Sequence, residues 1–82
     1  AGAAEGLPPE LAMRLATATV AGAGALAEAS DETPAQLRKN VTSPNGTTQA
    51  GLEVLMNERE GLTELMRRTV AAAAARSRDL GR

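Results

Sequence analysis

The sequence predicts an all-α fold on three observations. Apolar residues recur at helical spacing, proline and capping residues mark helix starts, and no stretch alternates as a strand would. Pro8 and Pro9 sit where proline is tolerated at a helix start, and Glu10 suits the first turn. From there Leu11, Leu15, Ala18, Gly22, Ala25, Leu26 and Ala29 share one face, so a first helix should run to about Ser30. Thr33-Pro34-Ala35-Gln36 is a second start: Thr33 caps, Pro34 takes the first helical position, and Gln36 completes a capping box. That helix is short, about Pro34 to Asn40, because Ser43-Pro44 and Asn45-Gly46 follow as turn signals. A third helix opens near Gly46 or Thr47, carries Leu52, Leu55 and Met56, and is broken by Asn57-Glu58-Arg59-Glu60-Gly61. The fourth spans about Leu62 to Leu80. Its apolar face is Leu62, Leu65, Met66, Thr69, Val70, Ala73 and Leu80, its polar face bears Arg67, Arg68, Arg76 and Arg78, and Gly81 is its C′ stop. Residues Ala1–Gly6 are expected to be the frayed end of a preceding helix or linker.

Composition then limits what such helices can do alone. Of 82 residues 43% are hydrophobic, but most of these are alanine, and Phe, Tyr, Trp, Ile and Cys are all absent. The large apolar side chains are ten Leu, four Val and three Met. Alanine buries little area at roughly 25 cal/mol per Å², so a monomeric core would be thin. With a net charge of only −1, disorder is not the natural reading. The expectation is a helical chain that completes its core against another chain or a further domain. The centre of the first helix, Ala21-Gly22-Ala23-Gly24-Ala25, fits this. Two interior glycines each cost about 1 kcal/mol against alanine, and the small residues would let another helix cross closely.

Several function classes fall away. No cysteine means no disulfide staple and no thiolate zinc site. No histidine removes the usual general base and the commonest metal ligand. The near-neutral charge disfavours nucleic acid as a main partner, and nothing is long and apolar enough to span a membrane. Gly22-Ala23-Gly24-Ala25-Leu26-Ala27 matches a loose dinucleotide pattern but lies within a helical repeat, where helix packing explains it better. Asn40-Val41-Thr42 and Asn45-Gly46-Thr47 fit a short glycosylation sequon that chance also supplies. Met13, Met56 and Met66 read as core or interface fillers, the arginines of the last helix as a solvated face, and the scattered carboxylates form no acid/base pair.

One segment stands out. Val41 through Thr48 places the hydroxyls of Ser43, Thr47 and Thr48 around the start of a helix, whose first amides are unbonded and carry the positive dipole end. This suits a carboxylate or phosphate, with the dipole contributing roughly 0.3–1 kcal/mol. Gly46 lets the backbone approach a ligand or take a positive φ. A well-capped turn would use the same residue types, and spacing alone leaves the two readings even.

The order of residues adds more. Val41-Thr42-Ser43-Pro44-Asn45-Gly46-Thr47-Thr48-Gln49-Ala50-Gly51-Leu52 resembles the signature of pyrroline-5-carboxylate reductases, V-T-S-P-G-G-T-T-x-x-G-L. Gly6-Leu7-Pro8 with Ala12, Leu15 and Ala16 is similar to the start of that family's long helix. Glu60-Gly61-Leu62 and Arg76-Ser77-Arg78-Asp79-Leu80 are similar to its last helix, so the resemblance covers nearly the whole chain. It implies an antiparallel helical domain like the C-terminal domain of 6-phosphogluconate dehydrogenase, interlocked as a homodimer, with dimers often assembling into decamers. It implies a cytoplasmic enzyme that reduces 1-pyrroline-5-carboxylate to L-proline with NADPH or NADH, held by an N-terminal dinucleotide-binding domain. By position, Ser43, Gly46, Thr47 and Thr48 would bind the substrate carboxylate, and Thr48 would guide the proton that accompanies hydride transfer. Neither cofactor nor metal is expected on these 82 residues, which read as residues 1–82 of a partial C-terminal domain, inactive alone.

Two departures from the family pattern matter. Asn45 stands where the family usually has glycine, so the turn carries either a left-handed asparagine or a side chain that crowds the ligand. The family's Ser-Gly-Ser-Gly-Pro segment is absent. Two other classes remain: a free-standing helical interaction module whose loop is only a capped turn, and a regulatory helical domain binding a small anion.

Overall fold

A computed structural model describes residues 1–82 as four α-helices and no strand. They are α1 (Pro9–Ala29), α2 (Pro34–Asn40), α3 (Thr47–Leu55) and α4 (Leu62–Leu80), each within a residue or two of the spacing-based expectation. The chain divides into two units, Ala1–Asn40 and Val41–Arg82.

In the first unit, the segment before α1 is more ordered than a frayed end. Ala3–Glu5 forms a 3₁₀ turn closed by Gly6 at φ 100°, where its N–H donates to the Ala3 carbonyl. Only glycine takes that conformation without steric penalty. The turn sits against the start of α1, for a Cβ on Gly2 would lie 3.2 Å from the Ala12 Cβ. Proline at the first position and Glu10 in the first turn open α1 as expected, and α1 ends at Ala29, one residue early. The capping box of α2 is only half formed. The Gln36 N–H donates to the Thr33 hydroxyl at 3.2 Å, but the Gln36 carboxamide reaches forward to Asn40 Oδ1 at 2.9 Å. Asn40 in turn donates to Glu32 at 3.0 Å, so Gln36 ties the end of its helix rather than the beginning.

In the second unit, α3 and α4 are joined by a turn built on Asn57. Its side-chain oxygen accepts from the amides of Arg59 and Glu60, both at 3.0 Å. Its carbonyl accepts from Gly61 N–H at 2.9 Å. Gly61 is the one buried residue of the chain. A Cβ there would fall well inside 3.0 Å of three backbone atoms, the carbonyl oxygens of Asn57 and Leu55 and the Asn57 nitrogen. On α4, Arg67 grips Glu64 through two hydrogen bonds, at 3.0 and 2.6 Å. That contact holds the Glu64 carboxyl below its usual range, and Glu64 raises Arg67 in return. The pair is solvated, as the arginine-rich face was read. At its far end α4 stops at Leu80, with Gly81 at φ −82°. The stop is therefore not the left-handed cap that glycine favours there.

The core is thinner still than the composition implied. No hydrophobic side chain is buried, and Leu15, Leu26, Leu65 and Met66 are each about half exposed. Within the first unit a Cβ on Gly22 or Gly24 meets nothing within 4 Å, so no element of that unit makes the close helix crossing those glycines permit. No helix is long and apolar enough to cross a membrane. A chain with this many apolar faces open is expected to self-associate: light scattering should report a dimer or larger species, and a stable monomer would refute the expectation.

Candidate functional site

The polar loop enters α3 through a turn at Pro44-Asn45. Asn45 takes the left-handed conformation, φ 60°, one of the two outcomes its presence allowed. Gly46 is extended at φ −87° and ψ 179°, so its role here lies in close approach and not in a positive φ. Its N–H donates to the Ser43 carbonyl at 3.1 Å, and a Cβ on Gly46 would come within 3.2 Å of that oxygen. Ser43 and Gly46 are thereby brought together, and Thr47 and Thr48 follow as the first two residues of α3.

Sequence reasoning missed what holds this turn. The Asn45 N–H donates to Gln49 Oε1. Gln49 is the third residue of α3, where a glutamine reaching back over a helix start is the second half of a capping box. The spacing Gly46-Thr47-Thr48-Gln49 contained that signal, although the bond lands one residue upstream of the Gly46 cap.

The start of α3 differs from every other helix start in the chain. A Thr33 hydroxyl caps α2; α1 and α4 each have a glutamate in the first turn. At α3 there is neither a side-chain cap nor an acidic residue in the first turn. The amides of Thr47, Thr48 and Gln49 donate to nothing within the chain, and the Ser43, Thr47 and Thr48 hydroxyls make no hydrogen bond in it. Mid-helix threonines behave otherwise: Thr17, Thr19 and Thr69 each donate to the carbonyl four residues back, at 2.7–2.8 Å. Ser43, Thr47 and Thr48 are exposed and Gly46 is half-buried. Donors without partners at the positive end of a helix, with no carboxylate in its first turn to neutralise them, favour an anion. No cluster of His, Cys, Asp or Glu that could hold a metal is present.

Helices that leave their apolar faces open, one of them with a start that lacks both a side-chain cap and a first-turn carboxylate, define the class as a helical association domain. A family described as pyrroline-5-carboxylate reductase dimerisation matches residues 1–80. The chain is 48% identical over 79 residues to a pyrroline-5-carboxylate reductase of Pisum sativum, covering 96% of this chain and 28% of that protein. A reductase of the same name from Synechocystis sp. is 43% identical, with 99% and 30% covered. One from Pseudomonas aeruginosa is 41% identical, with 98% and 29% covered. The chain belongs to the pyrroline-5-carboxylate reductase dimerisation family. It spans somewhat under a third of the length of these relatives.

Proposed function

We propose that this chain is the dimerisation and substrate-loop portion of an enzyme that reduces 1-pyrroline-5-carboxylate to L-proline in proline biosynthesis. The observation that carries the reading is the coincidence of two features at one place. The twelve-residue signature Val41–Leu52 falls on the one helix start without a side-chain cap or first-turn carboxylate. In this reading the Thr47 and Thr48 amides and the Ser43 and Thr47 hydroxyls take the substrate carboxylate, and Gly46 leaves room for it. Thr47 and Thr48 stand about 100° apart around the helix axis, so the Thr48 hydroxyl meets a different edge of the ligand. We place it at the ring nitrogen, where it guides the proton that nitrogen gains as the adjacent imine carbon accepts hydride.

The residues of this chain do not fit a nicotinamide dinucleotide. The loose glycine pattern Gly22–Ala27 lies inside α1, with no strand before it to form the phosphate-binding turn. NADPH or NADH would supply the hydride from a domain outside these 82 residues. The apolar faces of α1, α3 and α4 would pack against a second copy as an interlocked, antiparallel homodimer, which can serve as the unit of a decamer in the cytoplasm.

The test compares this chain with the full-length protein by calorimetry. L-proline is expected to give saturable heat with the full-length protein plus oxidised cofactor and little or none with this chain alone. Strong binding by the chain alone would favour a self-contained anion-binding domain. Absence of binding and turnover in the full-length protein would refute the reductase reading.

A further inference from the structure

The turn that opens α3 contains the chain's one Asn-Gly pair, and the three asparagines of the chain differ in how they are held. Asn40 engages both ends of its carboxamide, accepting from Gln36 and donating to Glu32. Asn57 accepts two backbone amides on its side-chain oxygen. The Asn45 carboxamide makes no hydrogen bond, and the residue is exposed. Valine follows Asn40 and glutamate follows Asn57, whereas Gly46 after Asn45 has no Cβ to shield its peptide nitrogen.

We propose that Asn45-Gly46 is a site of spontaneous deamidation that places a negative charge in the anion-receptive loop. The Gly46 peptide nitrogen, after losing its proton, attacks the Asn45 side-chain carbonyl carbon. A new C–N bond closes a five-membered imide and ammonia leaves. Water then adds to either imide carbonyl and breaks one of its two bonds to nitrogen. The products are aspartate, or isoaspartate with the main chain rerouted through the side chain. No oxidant or reductant takes part. Attack requires the Gly46 hydrogen bond to Ser43 to open, which slows it by a factor of roughly two to ten without blocking it. Either product puts a carboxylate directly before Gly46, Thr47 and Thr48, where it repels an incoming carboxylate and competes for the same amides. The modification stands on the turn geometry alone; its effect on turnover rests on the function proposed above.

The full-length protein is aged in mildly alkaline buffer and peptide-mapped for amide-to-acid mass gain, with isoaspartate labelled by a protein carboxyl methyltransferase. The Asn45 peptide is expected to gain ahead of the Asn40 and Asn57 peptides by an order of magnitude or more, and Asn45→Gly to abolish the gain. Equal or slower modification at Asn45 overturns the site. Activity is followed in the same samples, with L-proline formation as readout. It should decline in step with the modified fraction in the native protein and not decline over the same period in Asn45→Gly. Modification without a rise in KM for the substrate overturns the charge effect and, with it, the carboxylate role of this loop, while leaving the modification site itself intact.

Discussion

Replacing Thr48 by alanine in the full-length protein is expected to lower kcat/KM for pyrroline-5-carboxylate by about a hundredfold, most of it in kcat. That is the lower range for losing a positioned proton-transfer group. The hydroxyl is free of intrachain bonds, so its removal disturbs no helix contact, and stability should be unchanged. Thr17→Ala is the matched control. The Thr17 hydroxyl already donates to the Met13 carbonyl at 2.8 Å, and its loss should leave both kinetic constants as they were. Steady-state kinetics of the two variants decide the matter: equal effects would remove the case for the loop. Thr48→Ser, which keeps the hydroxyl, should retain most of the activity.

Gly61→Ala is expected to have the largest effect on stability, a loss of about 3 kcal/mol. The three atoms its Cβ would strike all belong to the backbone of the turn that Asn57 organises. A flexible side chain could swing aside, but here the turn itself must open and release the Gly61 hydrogen bond to Asn57. The readout is the midpoint of urea unfolding. A shift no larger than that of an exposed helical Gly→Ala substitution would show that the α3–α4 turn tolerates the methyl group.

The helices were legible because their boundaries are written in local chemistry. Pro8-Pro9, Thr33-Pro34, Gly46-Thr47 and Gly61-Leu62 each act within a few residues, and the structure starts helices at or beside all four. The loop was legible as a segment for the same reason. What the residues themselves did not decide was which of several partners a side chain chooses. Gln36 had two plausible targets and took Asn40 over the Thr33 amide. Gln49 was read only as a variable position within the signature, yet it fastens Asn45. Gly61 was read as a helix breaker, and its close backbone surroundings emerge only once Asn57 has folded the turn around it. The glycine pair of α1 marks a limit of another kind, since its expected neighbour is not an element of its own unit. The roles given to Ser43, Gly46, Thr47 and Thr48 remain proposals that the kinetics above address.

The openness of the helices has a consequence for how these 82 residues fold. Within each unit no residue approaches another twelve or more positions away along the chain, so all contacts are local and close quickly. Short-range helical order forms on a sub-microsecond to microsecond scale, and low contact order removes the usual topological delay. Nothing within either unit then supplies the burial that fixes helices permanently. The slow, committing event therefore becomes an encounter between surfaces. For these 82 residues on their own, lasting order would then depend on concentration, and dilution would delay it even where every helix forms at once.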